Sequence, residues 1–355
     1  GGGRLRDRHP GRLGDERHGP RRARVGLEHV EDVGAQRVLD VQQAAYPDAA
    51  CDGLGGLADP LDLRLAERDD AVTGLSTVDA QVWRAPFERS DAQTLEQSIV
   101  AAERAGIGTL IPGDKEWPSA LDDLGDRRPY VLWTRGTTSF LARPLSDLVT
   151  ITGARAATSY GEHVAGELAS DLANAERVIV AGGAYGIEGA AHRAALASGG
   201  DTIAVMANGV DRPYPVGHRE LLERVADLGR MVSEVPPGAV PTRHRVLARA
   251  RLMAALSAAT VVVEAGARSG SLAVAQRAHE LGRIVGAVPG PITSATSVGS
   301  NHLLAERLAR VISHADDVVR RSEKAETKSL SPGTSAHSLH QRRDLPLDRE
   351  ARRDL

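Results

Sequence analysis

From Leu148 onward, short apolar runs alternate with stretches whose apolar residues recur every three to four positions. The runs cover 148–154, 177–182, 202–208, 230–234, 260–264 and 284–288. Each is nearly continuously apolar rather than alternating, the pattern of parallel strands with helices on both faces. Helical spacing fills 160–175, 187–198, 218–228, 245–258, 269–281 and 301–308. In the first of these, Val164, Leu168 and Leu172 fall at i, i+4 and i+8, a single buried stripe. Strands alternating with helices over this length predict a doubly wound, mostly parallel, Rossmann-like α/β sheet.

The pattern weakens on either side. Residues 76–147 predict a small lead-in subdomain. It has a helix face at Leu95, Ile99 and Ala102 and a short strand ending at Pro112-Gly-Asp114. A second strand lies over 129–136. Residues 1–75 carry no sustained period. Eight arginines (4, 6, 8, 12, 17, 21, 22, 24) stand there against Asp7, Asp15 and Glu16, a surplus of +5 within the first 25 residues. This reads as a disordered basic leader. The chain opens on Gly rather than Met, and the leader is set aside from fold reasoning. Residues 320–355 are polar and rich in Ser and Arg, and read as a disordered tail. The organisation expected is therefore leader 1–75, lead-in 76–147, core 148–319 and tail 320–355.

Composition narrows the function. The 355 residues are 41% hydrophobic and 26% charged, enough for about two domains with a real core. A net charge of −3 excludes a wholly basic binder but leaves room for a local basic groove. Cys51 is the single cysteine, so intrachain disulfides, CxxC zinc sites and iron–sulfur clusters are excluded. No apolar run approaches a membrane span and no signal-peptide core is visible, which predicts a cytoplasmic protein without membrane contact. Lysine occurs only at 115, 324 and 328, so the positive charge is almost all arginine.

In an open α/β sheet, ligands bind beyond the carboxyl ends of the strands. Three Gly-rich turns fall there: Thr152-Gly-Ala-Arg-Ala-Ala-Thr158, Ala181-Gly-Gly-Ala-Tyr-Gly-Ile187 and Glu264-Ala-Gly-Ala-Arg-Ser-Gly-Ser271. Glycine lets backbone N–H groups approach an anion, and a helix N-terminus adds partial positive charge. The residues expected to bind phosphate are Gly153, Arg155, Gly182, Gly183, Gly186, Arg249, Arg251, Arg268, Ser269, Gly270 and Ser271. Each glycine can equally serve tight packing, and each serine can cap a helix. None of the turns reads GxGxxG with an acid about twenty residues on, and no GxxxxGK[ST] occurs, so NAD and Walker-type ATP sites are not expected. Glu188, His192, Asp211 and Glu234 have no metal-ligand spacing, and His192 reads as a packed core histidine. No cofactor and no catalytic constellation are predicted.

Taken in order, the motifs are more specific than singly. They run Gly153-Ala-Arg155, Gly182-Gly-Ala-Tyr-Gly-Ile-Glu-Gly-Ala-Ala-His192, Asn208-Gly-Val-Asp211, Tyr214-Pro215 and Ser233-Glu234. Then follow Pro236-Pro-Gly238, Arg249-Ala-Arg251, Val263-Glu-Ala265, Arg268-Ser-Gly-Ser-Leu272 and Val288-Pro-Gly290. This series resembles the DNA-processing protein A (DprA/Smf) family over about 97–319. The resemblance implies a bacterial single-stranded DNA-binding protein that protects incoming DNA in natural transformation and loads RecA recombinase. It also implies a homodimer and no enzymatic step. The family's SAM-like domain and winged helix have no counterpart in the terminal segments. Its Phe-x-x-Arg-Asn-Arg stretch reads Val246-Leu-Ala-Arg-Ala-Arg251 here, so Val246 cannot stack a base and Ala250 offers no side-chain hydrogen bond. Its Gly-Ile-Asp reads Gly186-Ile-Glu188. Tyr160, Tyr185 and Tyr214 stand in motif loops and are the nearest substitutes for stacking.

A second reading from another class is a nucleotide-binding or phosphoribohydrolase-like Rossmann protein. The signature Pro-Gly-Gly-x-Gly-Thr-x-x-Glu of the cytokinin-activating phosphoribohydrolases would place its threonine at Ser271 and its glutamate at Val274. Valine cannot activate water or stabilise a ribosyl cation, which favours the binder.

Overall fold

Valine, isoleucine, alanine and threonine dominate the strand runs, side chains that suit a pleated surface covered on both faces. The computed structural model describes residues 100–136 and 140–329, with side chains through Ser322. The basic leader, Cys51, Leu95, Ile99 and the tail from 330 lie outside the described residues.

Among the described residues nine strands form one sheet: β1 (Ile107–Leu110), β2 (Leu132–Gly136), β3 (Leu148–Thr152), β4 (Val178–Gly182), β5 (Thr202–Val205), β6 (Arg230–Ser233), β7 (Ala259–Val262), β8 (Ile284–Ala287) and β9 (Arg310–Val311). Their order is β1-β2-β6-β5-β4-β3-β7-β8-β9. From β6 to β9 every pairing is parallel. β1 and β2 are antiparallel to each other, and β2 is antiparallel to β6. The lead-in segment thus extends the core's own sheet at one edge. Its Trp117, Leu121, Leu124 and Leu132 join the hydrophobic cluster of the core.

After a short helical stretch at 100–104, the α-helices among the described residues are α1 (Ser159–Asn174), α2 (Ile187–Ala197), α3 (Arg219–Leu228), α4 (Arg243–Ala255), α5 (Ser271–Glu280), α6 (Val298–Ala305) and α7 (Ala315–Ser329). Alternate strand residues face opposite layers. Val178, Val180, Ile203, Val205 and Val262 pack with α4 and α5. Ile179, Val149, Ile151 and Val261 pack with α1, α2 and α7. Met231 and Ala204 pack with α3 and with Ile107 and Trp133 of the edge strands. Helix starts follow local chemistry. The Thr158 side chain accepts from the Gly161 N–H at 3.1 Å to cap α1, and Thr242 accepts from the Arg245 N–H at 3.2 Å to cap α4.

Helix α7 continues through the polar stretch to Ser329, past the point at 320 where the sequence predicts a tail. Ala315, Val318 and Ser322 are buried at i, i+3 and i+7, and that narrow stripe holds the helix against the sheet. No helix among the described residues is long and apolar enough to cross a membrane.

Strands β3 to β6 follow one another outward in one direction, whereas β7 returns to the other side of β3. The crevice between β3 and β7 is the topological switch point, where two successive βα turns diverge and leave space for a ligand.

Candidate functional site

A cleft of about 420 Å³ opens at this switch point. The turn after β3 supplies Gly153 and Arg155, and the turn after β7 supplies Arg268, Ser269, Gly270 and Ser271. Ala184 and Glu188 come from the β4–α2 junction, and Val246, Arg249 and Ala250 from α4. Seven of the expected residues therefore converge: Gly153, Arg155, Arg249, Arg268, Ser269, Gly270 and Ser271.

Arg155 and Arg268 are exposed on the rim. Neither guanidinium has a hydrogen bond or ion pair with a described residue. Arg249 is different. It is mostly buried, with Nη2 3.4 Å from Glu188 Oε2 and Nη1 donating to the Val205 carbonyl at 3.3 Å. Glu188 is 4% exposed and fully engaged. Its Oε1 accepts from Thr152 Oγ1 at 2.9 Å, and its Oε2 accepts from the Ala184 N–H at 3.1 Å. Its place in the first turn of α2 also suits a carboxylate, which sits favourably at a helix N-terminus.

The remaining expected residues are placed elsewhere. Gly182 lies beneath the floor, where any Cβ would run into Arg249 and Glu188. A Cβ on Gly183 would come within 2.8 Å of the Tyr214 carbonyl. Gly186 has φ of 70°, open to glycine, and a Cβ there would strike the carbonyls of Ala154 and Arg155. These three glycines permit close packing of turns, and none lies on the cleft wall. Arg251 also lies off the cleft. It pairs with Glu234 and donates to the Arg127 carbonyl at 2.8 Å, so it ties α4 to the lead-in segment. Among the serines, Ser269 Oγ receives the Ser271 N–H at 3.4 Å and lies 2.8 Å from Ser271 Oγ. The N-cap of α5 is Gly270, which has no side-chain cap, so Ser269 reaches only the first N–H of the helix.

Several supporting residues act through partners that only the fold brings to them. Glu264 is 2% exposed just past β7. It accepts from the Thr158 N–H at 2.9 Å, from Thr158 Oγ1 at 2.7 Å and from Thr296 Oγ1 at 3.2 Å. One buried carboxylate therefore ties three loops around the cleft. Two imidazoles brace the glycine turn from below. His192 Nε2 lies 3.0 Å from the Gly182 carbonyl and His218 Nδ1 lies 3.1 Å from the Gly183 carbonyl, and each of these nitrogens must donate because a carbonyl only accepts. Burial pushes the His192 imidazole down to about 4, so it stays neutral near pH 7. Its motif position did single it out, and the packed-core role is the one it has. Among the described residues, no cluster of His, Cys, Asp and Glu could hold a metal ion.

Val246, Ala250 and Val274 all line the cleft. Apolar side chains thus occupy the positions where the two resemblances carry a ring, an amide and a catalytic carboxylate.

The family model for DNA recombination-mediator protein A matches residues 108–323, more than half of the chain. The chain belongs to this family. A Mycobacterium tuberculosis protein named as DNA processing protein DprA is 49% identical over 226 residues, covering 61% of this chain and 58% of that protein. The DNA processing protein DprA of Streptococcus pneumoniae is 37% identical over 210 residues, covering 59% of this chain and 72% of that protein. The chain thus spans a little over half the length of the mycobacterial relative. Among solved structures, DNA processing protein A from S. pneumoniae superposes with a TM-score of 0.64 at 28% identity. That match covers 81% of this chain and 97% of the other. A structure of DNA processing protein A from Helicobacter pylori, described for its single-stranded DNA binding mode, gives 0.55 at 30% identity, covering 62% and 96%. The shared architecture is the Rossmann-like sheet, and the cleft lies at its switch point.

Proposed function

We propose that this chain binds single-stranded DNA along the carboxyl edge of its sheet, with successive phosphates held by Arg155 and Arg268. The observation that carries this reading is the pair of exposed guanidiniums, without a partner among the described residues, on two turns of one cleft. A protein arginine that only supports the fold is normally paired, as Arg249 and Arg251 are here. A guanidinium left open at a Gly-rich βα turn suits a phosphate oxygen. The single-stranded DNA binding described for the H. pylori relative points the same way. Little sequence readout is expected of this arrangement, because contacts to phosphates carry no base information. In keeping with the family, the reading extends to a cytoplasmic homodimer that protects incoming DNA and loads RecA recombinase.

The decisive experiment is a fluorescence-anisotropy titration with labelled oligo(dT) and with a blunt duplex of equal length. Oligo(dT) should bind more tightly, and its affinity should fall steeply with salt as counterions are released. Equal or tighter binding to the duplex overturns the reading. The cleft volume lies within the range of small-ligand sites, which keeps a mononucleotide as the second reading. AMP binding and ribose release, measured in the same preparation without DNA affinity, would favour it. Against it stand Val274 on the wall and Glu188, whose oxygens are already bonded to Thr152, Ala184 and Arg249.

A further inference from the structure

Three tyrosines of the motif segments remain about half exposed: Tyr160 at 47%, Tyr185 at 45% and Tyr214 at 48%, and none of them lines the cleft itself. Their anchoring differs. The Tyr160 hydroxyl donates to the Pro289 carbonyl at 3.2 Å, and its ring has no aromatic neighbour among the described residues. The Tyr214 hydroxyl has no partner among the described residues. Tyr185 is held at both ends. Its hydroxyl oxygen accepts from the Gly217 N–H at 3.2 Å. Its ring meets the edge of His218 at a centroid distance of 4.6 Å and an interplanar angle of 70°. His218 is itself fixed to the Gly183 carbonyl.

The ring contributes to none of the three hydrophobic clusters, so the core does not account for its bracing. Its position does. Ala184, the preceding residue, lines the cleft. Gly186, the following residue, rests against the carbonyls of Ala154 and Arg155, and the Ile187 N–H donates to the Ala154 carbonyl at 3.2 Å. Tyr185 therefore projects from a turn packed on the very turn that carries the unpaired Arg155. A rigid, half-exposed ring on a turn packed against the one that carries an open guanidinium suits one nucleotide unit, an apolar π face and a phosphate. Because the ring is already fixed, stacking on it costs little conformational entropy.

We propose that Tyr185 is a nucleobase-stacking subsite on the turn adjoining the cleft, taking a base next to the phosphate that Arg155 holds. The proposal rests on the single-stranded DNA reading above, and the test separates the two. The 355-residue chain is titrated with labelled oligo(dT) and with an abasic deoxyribose-phosphate strand of the same length. Tyr185→Ala should weaken oligo(dT) binding about tenfold and leave abasic binding unchanged, because the lost contact is to a base. Tyr185→Phe keeps the ring and should recover most of that loss. Tyr185→Leu keeps bulk without a π face and should not, which covers the case of a poorly folding alanine variant. Equal losses on both strands, or no loss on either, overturn the stacking subsite while leaving DNA binding intact. An unaltered chain that binds neither strand overturns the DNA reading itself and the subsite with it.

Discussion

The floor and the rim of the cleft use the same residue types to opposite ends. On the floor, Arg249 and Glu188 are buried together, and His192 and His218 hold the carbonyls of the glycine turn. On the rim, Arg155 and Arg268 reach into solvent with no protein partner among the described residues. The difference teaches which charges are available. A buried arginine is committed to its carboxylate, since releasing either partner leaves an uncompensated charge. A rim arginine gives up only hydration when it meets a phosphate. If this division holds, floor substitutions should cost stability and rim substitutions should cost affinity.

The largest effect is expected at Glu188. Glu188→Ala removes the acceptor of Thr152 Oγ1 and the Ala184 N–H and strands Arg249. The expected loss is about 3–5 kcal/mol, roughly 10 °C in Tm. Glu188→Asp keeps the charge and should lose clearly less. The double variant Glu188→Ala with Arg249→Met should be more stable than Glu188→Ala alone, because no charge is then left buried. Thermal unfolding reads these three together with Arg249→Met alone, and additive losses in the double variant would remove the pair from the account of the floor.

His192 gives the second effect, through pH. Its imidazole is held near 4 in the folded chain and returns to the ordinary 6.5 on unfolding. Between these values the unfolded chain binds the extra proton, so stability falls as pH drops from about 6.5 toward 4. The contribution at stake is about 3 kcal/mol. His192→Gln should be less stable at neutral pH, where the hydrogen bonds to Gly182 and Thr202 are disturbed, and should show a flatter pH profile. An identical slope in both proteins would assign the acid sensitivity to other groups.

The rim comes third. Arg155→Ala should weaken oligo(dT) binding by about 1.5–3 kcal/mol, one to two orders of magnitude, with Tm nearly unchanged. Arg251→Ala is the matched comparison. It breaks the pairing with Glu234 and should lower Tm while sparing much of the affinity. A large Tm loss at Arg155 with intact DNA binding would reverse the assignment of rim and floor.

The contrast between Arg249 and Arg251 also marks how far the sequence was readable. Both fall in one motif, yet two helical steps turn a side chain by roughly 200°, so one faces the cleft and the other faces Glu234. Strands β3 to β8 were visible as apolar runs because both faces are buried. The docking of β1 and β2 onto β6 was not, since edge pairing is a long-range contact that leaves no local period. Helix α7 was hidden by its polar surface, its buried stripe being only one residue per turn. The cleft was legible in its Gly-Arg-Ser turns, where conformation and charge are written locally. Glu264 was not, because its partners Thr158 and Thr296 meet it only in the fold.

The smallest effect, and a gain, is expected at Val246. This residue lies in the second turn of α4, half-buried on the cleft wall beside Ala250 and Met253. Its branched side chain offers methyl contacts but no π face, and Ala250 adds no donor or acceptor. A phenylalanine at 246 would enter the cleft rather than the core, because the side chain already borders open volume. Val246→Phe should therefore raise oligo(dT) affinity by about 1 kcal/mol, several-fold, and leave the abasic strand unaffected. Stability should shift little, since no buried neighbour has to yield. Combining it with Tyr185→Ala tests whether the two rings act on separate bases. Independent bases give additive changes in binding free energy, whereas one shared base makes the gain from phenylalanine larger once Tyr185 is gone. A folded Val246→Phe protein with lower affinity would mean that the strand passes through the space the ring fills, which places its backbone deeper in the cleft than the rim arginines alone require.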